Sequence, residues 1–218
     1  MLKKGKVKVG VKMMNLEEIQ QRFKNRTPTI LGSGQYYRFS VLLPLLEINN
    51  DIHILFEVRS EQLRRQPGDI CFPGGKVDES DDSEKQTAIR ETCEELGIQE
   101  RNLSGIYPMD YIVSSFGTFI FPYVGILEEE AKINPNADEV AETFTVPLSF
   151  FIDTEPKVYK VGFTIEPEED FPLDLIAGGE NYNWQTRKID EYFYFYKDKV
   201  IWGLTAKILK HFIDELKE

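Results

Sequence analysis

The chain has 218 residues, 41% of them hydrophobic and 29% charged, and carries a formal net charge of −11. That length suits one globular domain with a sizeable core, and the composition is ordinary for one. The acidic balance argues against a protein whose main task is to grip nucleic acid, and no apolar run reaches the length of a membrane span.

Taken in order, residues 1–14 form a basic extension, with Lys3, Lys4, Lys6, Lys8 and Lys12 among valines and glycines. A short strand and a disordered arm both fit it, and it lacks the apolar core of a signal peptide. Residues 15–218 are expected to form a single domain. Asn15 caps a predicted helix reaching Lys24, with Leu16, Ile19 and Phe23 on one face. After a loop over 27–35, the apolar run 38–48 reads as a strand buried on both faces, and Pro44 marks a bulge or a ladder end. A turn at 49–51 returns the chain as a second strand over 52–59, forming a hairpin. A charged loop, 60–69, leads into a short strand ending at Phe72.

The glycine pair Gly74-Gly75 and an acidic loop then precede a helix. Ser83 and Gln86 form a capping box, and Gly97 stops the helix. Ala88, Ile89, Cys93 and Leu96 make its buried stripe. Strands are predicted over 103–114 and 118–127 around a turn at 115–117. A polar loop, 128–136, precedes a strand from Val140 that passes into a helix started by Pro147. A strand over 158–165 and a surface excursion over 166–190 follow. The aromatic strand 192–196 is compatible with a homodimer interface. The last predicted helix, 201–216, presents Leu204, Ile208, Phe212 and Leu216, broadened by Leu209 and Ile213. Antiparallel strands interspersed with a few helices predict an α+β chain, a mixed sheet sandwiched by helices. The two cysteines, Cys71 and Cys93, read as reduced structural residues, which suits a cytoplasmic protein. His53 and His211 lie away from every motif and read as structural.

Glu91, Glu94 and Glu95 stand at i, i+3 and i+4, so they share one side of the box helix. Three carboxylates together repel, and hard divalent cations with substrate phosphates seek such oxygen clusters. A solvated acidic face remains the alternative on these residues alone. Arg90 can orient the carboxylates by pairing. The wider pattern runs Gly75, Asp81, Arg90, Glu91, Glu94, Glu95, Gly97, Ile98. It resembles the Nudix box of the Nudix hydrolases. It departs from that box in three places: Asp81 replaces a glutamate, one extra residue precedes Arg90, and Thr92 replaces an aliphatic residue. The resemblance implies an α/β/α sandwich with a mixed β-sheet, Mg2+ or Mn2+ held by Glu91, Glu94 and Glu95, and hydrolysis of a diphosphate.

Upstream, Arg59, Ser60, Arg64, Gly68 and Phe72-Pro73-Gly74-Gly75 resemble the signature of the coenzyme A pyrophosphatase branch. The segments 136–151 and 201–209 are similar to further parts of that branch. This implies that the substrate is coenzyme A or a derivative, cut to 3′,5′-ADP and 4′-phosphopantetheine. Arg59, Arg64 and Lys76 could meet its phosphates, and Gly74 and Gly75 would let metal or phosphate approach the backbone. Glu94 and Glu139 are both candidates for the base, beside Arg90. Other nucleoside diphosphate derivatives such as ADP-ribose or NADH, and a non-catalytic nucleotide-binding module, are the alternatives. No nucleic acid or membrane partner is expected.

Overall fold

The computed structural model describes residues 6–9, 12–114, 116–128 and 131–218. They fall into two compact units, 1–36 and 37–218, so the helix expected to open the main domain groups with the basic extension. In the first unit, β1 (Lys6–Val9) pairs antiparallel with β2 (Lys12–Asn15). Asn15 then caps α1 (Leu16–Lys24). Its side chain accepts from the Glu18 amide while the Glu18 carboxylate accepts from the Asn15 amide, both at 3.0 Å.

The second unit is built on β3 (Tyr37–Ile48). Asn49 and Asn50 adopt φ of 54° and 63°, the left-handed pair a tight hairpin requires, and return the chain as β4 (Asp51–Arg59). The β3–β4 ladder runs only from Leu45↔Ile54 to Ile48↔Asp51. Pro44, which has no N–H to give, sits where that ladder ends, as expected. Beyond it, β3 pairs with β6 (Gly74–Lys76), while the short β5 (Ile70–Cys71) pairs with β4. The glycine pair therefore belongs to a strand, not to the start of the loop.

After α2 (Glu84–Leu96) come β7 (Leu103–Pro108), β8 (Ile112–Ser114) and β9 (Thr118–Leu127). The single strand predicted over 103–114 is thus two: the Met109 amide still donates to the Pro122 carbonyl at 2.9 Å, but Pro122 has no N–H to return the bond and the ladder stops there. Ser115, in the predicted turn, lies outside the described residues, as do Glu129 and Glu130 of the polar loop. β9 runs parallel to β3, and β10 (Val140–Pro147) pairs antiparallel with β4, giving a mixed sheet ordered β10-β4-β3-β9-β7. Then follow α3 (Leu148–Asp153), with Pro147 as its N-cap, and a three-stranded sheet of β11 (Lys157–Phe163), β12 (Arg187–Tyr196) and β13 (Lys199–Trp202). The last helix, α4 (Gly203–Lys217), starts two residues later than predicted. Ile201 and Trp202 instead complete β13, opposite Tyr194 and Phe193. Apolar residues spaced for a helix continued unbroken out of a strand, and periodicity alone could not see the join.

Strand alternation splits the core in two. Leu42 and Leu55 face one side, packed with Ala88, Ile89 and Leu96 of α2 and with Leu127. Leu43, Ile54 and Phe56 face the other, packed with Phe72, Phe151, Tyr194 and with Ile208, Leu209, Phe212 and Ile213 of α4. Helices thus cover both faces of a mixed sheet. By the same alternation Glu57 and Arg59, two and four residues beyond Leu55, point to the α2 side.

Candidate active site

Local chemistry sets the α2 helix. The Ser83 hydroxyl accepts from the Gln86 amide at 3.2 Å, the forward half of the expected capping box. Gly97 closes the helix at φ 63°, and a Cβ there would stand 2.0 Å from the Asn134 carbonyl oxygen. That close approach lets the following loop cap the helix: the amides of Asn134 and Asn136 donate to the Leu96 and Glu95 carbonyls, each at 2.9 Å. Thr92, the residue that departs from the box pattern, is fully buried and turns its hydroxyl to the Ala88 carbonyl at 2.6 Å. It is thereby satisfied in a position otherwise suited to an aliphatic side chain.

Arg90 organises the solvent side. Its Nε and Nη2 donate to the two oxygens of Asp81, both at 2.9 Å. Its Nη1 lies 2.9 Å from Glu91 and 3.2 Å from Glu94. Asp81 also accepts from the Thr87 hydroxyl and the Asp78 amide. Hydrogen bonding to Arg90 holds the Asp81 carboxyl well below the usual carboxylate range. Asp81 therefore anchors Arg90, and the extra loop residue does not prevent this.

The three helix glutamates differ in setting. Glu94 is exposed, Glu91 half-buried and Glu95 buried. Glu95 accepts from the Gly74 amide at 2.7 Å. A Cβ on Gly75 would fall 2.3 Å from the Glu91 carboxyl carbon, and one on Gly74 would fall 2.3 Å from the Ser40 carbonyl oxygen. Both glycines are needed for close packing of β6 under α2 and over β3. Burial pushes Glu91 upward against the pull of Arg90. Burial, then the neighbouring Glu57, pushes Glu95 upward, opposed by the Gly74 amide.

Glu57 escaped the sequence reading. It lies on β4, only 1% exposed, accepts from the Cys71 thiol at 3.2 Å through one oxygen, and has no partner for the other among the described residues. Burial raises its pKa, with the Cys71 hydrogen bond and Arg59 opposing. Burial and the adjacent Glu57 likewise push the Cys71 thiol up. The available signal was a lone charge inside the apolar run Ile54-Leu55-Phe56-Glu57-Val58.

The loop after β4 fixes two more residues. Arg59 and Asp69 close its neck, the Arg59 amide donating to the Asp69 carbonyl at 2.9 Å. The Ser60 amide donates to the Glu139 carbonyl at 2.8 Å, which brings the downstream segment to the same place. The Glu139 carboxylate lies close enough to contribute to the upward pressure on Glu57, Glu91 and Glu95. Arg59 has its Nε buried without a hydrogen-bond partner among the described residues. Arg64 sits exposed on the loop. Lys76 is exposed beside the Tyr37 ring, 5.5 Å from its centre. It follows Gly75 on a strand, so its side chain leaves on the face opposite Glu91. The structure thus gathers Glu57, Glu91, Glu95, Glu139 and Arg59, and leaves Arg64 and Lys76 apart.

Sequence comparison adds to this geometry. The NUDIX domain family matches residues 37–149, just over half of the chain. The chain belongs to the Nudix hydrolase family. It is 30% identical over 207 residues to an uncharacterized Nudix hydrolase, NudL, of Photorhabdus laumondii, covering 94% of this chain and all of that protein. It is 41% identical over 122 residues to the mouse peroxisomal coenzyme A diphosphatase NUDT7, covering 56% of this chain but only 51% of that protein. Nudix hydrolase 15, mitochondrial, of Arabidopsis thaliana is 30% identical over 179 residues, 79% of this chain and 56% of that protein. Nudix hydrolases act on small-molecule diphosphates with divalent metal ions.

Among the described residues, no three His, Cys, Asp or Glu side chains converge closely enough to hold a metal ion as they stand. Arg90 pairs with Glu91 and Glu94, and the Gly74 amide donates to Glu95. The donor set nevertheless suits a hard divalent cation, being all carboxylate oxygen and including a buried oxygen of Glu57 that no described residue satisfies. No helix among the described residues is long and apolar enough to cross a membrane.

Proposed function

We propose that this Nudix hydrolase cleaves the pyrophosphate bond of coenzyme A or a derivative, giving 3′,5′-ADP and 4′-phosphopantetheine. The observation that carries the reading is Arg59. A guanidinium with a buried, unpartnered Nε beside a cluster of carboxylates is poised for a phosphate oxygen. The shared segment with the mouse coenzyme A diphosphatase supports the choice of substrate.

Glu91, Glu94 and Glu95 would hold Mg2+ or Mn2+. When bound, such ions neutralise phosphoryl oxygens and acidify a water. Arg59 binds one phosphate of the substrate, whereas the space beside Gly74 and Gly75 is filled by Ser40, Val41 and Glu91, so the glycine pair serves the packing of β6 rather than contact with a phosphate. Arg64, exposed on the 60–69 loop apart from these residues, would have to move with that loop to meet a second phosphate. Arg90 orients Glu91 and Glu94 and is itself fixed by Asp81. Of the two candidates for the base, Glu139 is preferred, since Glu94 is drawn to Arg90 while among the described residues Glu139 accepts only from the Asn136 side-chain amide, at 3.3 Å. The cytoplasmic location stays part of this proposal.

Incubation of the chain with coenzyme A and Mg2+ or Mn2+ should release the two named products, read by chromatography. Turnover of ADP-ribose or NADH, with none of coenzyme A, would overturn the substrate and leave the chemistry. Binding of nucleotides without turnover of any diphosphate would favour the non-catalytic module.

A further inference from the structure

Glu57 has a setting that the family reading does not explain. Its neighbours Leu55 and Phe56 are 1% and 0% exposed, and its own exposure is 1%. A carboxylate there is costly to bury unless its charge is matched. What it has is a thiol, a weak donor, on Cys71, its cross-strand partner in the β4–β5 ladder. The thiol takes one oxygen, and the other is buried and unpartnered. On the same strand face, Arg59 also keeps an unpartnered buried nitrogen. Glu95 of α2 is close enough that Glu57 is the strongest charge acting on it. Two buried polar atoms of opposite charge without partners among the described residues thus stand two residues apart on one face of β4.

We propose that Glu57 is a fourth carboxylate of the divalent-cation site and that Cys71 is the residue that orients it. This rests on the metal-dependent reading above but not on coenzyme A as substrate. Glu57 shares the cation with Glu95, and the Cys71 thiol turns the unpaired oxygen toward it. Arg59, two residues on, would then be placed to hold a phosphate of the substrate. A proton on Glu57 would also relieve its burial, and the two cases can be separated. Gln is the isosteric equivalent of a protonated glutamate, so Glu57→Gln is neutral if Glu57 is merely protonated.

The test is titration of the whole chain with Mn2+ alone, with free Mn2+ read by electron paramagnetic resonance. Glu57→Gln should weaken Mn2+ binding roughly ten-fold or more, the scale on which residues of a metal site and their supports act. Cys71→Ala should weaken it by about several-fold, and Cys71→Ser, which keeps a donor, should restore most of it. The melting temperature of each metal-free variant checks folding. Should Glu57→Gln fail to fold, Cys71→Ala against Cys71→Ser decides, since Cys71 is not itself a ligand. Unchanged Mn2+ affinity in Glu57→Gln, equal affinities in the two Cys71 variants, or no Mn2+ binding by the parent chain would overturn the proposal. A chain that binds Mn2+ through Glu57 yet ignores coenzyme A keeps this inference and loses only the substrate.

Discussion

The two helices that cover the central sheet make an instructive pair. Both pack on the same strands, one on Leu42 and Leu55, the other on Leu43, Ile54 and Phe56. α4 buries Thr205, Ala206, Ile208, Leu209, Phe212 and Ile213, and its one polar member donates to the Ile70 carbonyl at 3.1 Å. α2 buries Ala88, Ile89 and Leu96, but also Thr87, Thr92 and Glu95. Full burial of a large apolar side chain contributes about 1.5–3 kcal/mol, whereas a buried carboxylate costs several kcal/mol. The α4 side therefore carries stability, and the α2 side spends part of it on chemistry.

The largest expected effects test that division directly. Glu94→Gln and Glu95→Gln should each lower kcat by roughly 10²-fold or more, the scale of losing an essential charge stabiliser, while circular dichroism and melting stay near those of the parent. Near-normal activity in both would sink the metal-site reading. Phe212→Ala should do the reverse, costing about 3–5 kcal/mol in denaturant unfolding while the folded fraction keeps its kcat. A fall in kcat per folded molecule would show that the two sides are not separable.

Smaller effects sharpen the α2 side itself. Arg59→Ala should raise KM about ten-fold or more with less change in kcat, as expected for a lost charged hydrogen bond of about 1.5–3 kcal/mol. Asp81→Asn should destabilise by a similar or smaller amount, about 1–2 kcal/mol, since Asp81 is 3% exposed but its partner Arg90 is 29% exposed. The sign with pH follows from its depressed pKa. The parent's contribution from Asp81 is fully present above the ordinary aspartate value near ~4 and is lost as pH falls through the lower folded value. The stability gap between parent and Asp81→Asn should thus be constant at neutral pH and close in acid. A gap that persists at low pH would assign the loss to packing.

Much of the candidate site was legible because its parts are close together on α2 or fixed by short-range chemistry. The i, i+3, i+4 spacing of Glu91, Glu94 and Glu95 follows from helix geometry, and Ser83 and Gly97 set the ends of that helix. The strand pair β3–β4, its turn at Asn49-Asn50 and the ladder end at Pro44 were equally local. The uneven burial of the three glutamates was not local. It depends on β6 lying beneath α2, a pairing made between Phe39 and Lys76, Ser40 and Gly75, Val41 and Gly74. Lys76 looked like a phosphate ligand by its position next to the glycines. Its strand conformation sends it to the opposite face.

By itself, the sequence determined the family, the carboxylate helix and the sandwich of helices around a mixed sheet, because periodicity, caps and motif spacing are properties of neighbouring residues. Only the tertiary structure decided which charges meet. Glu57, Glu95 and Glu139 come from a strand, a helix and a loop far apart in the chain, and Arg59 joins them because β4 ends where the 60–69 loop and the Glu139 carbonyl fasten it. The energy of a buried charge depends on what surrounds it in space, so the role of Glu57, a single letter in an apolar run, became visible only when its environment was formed.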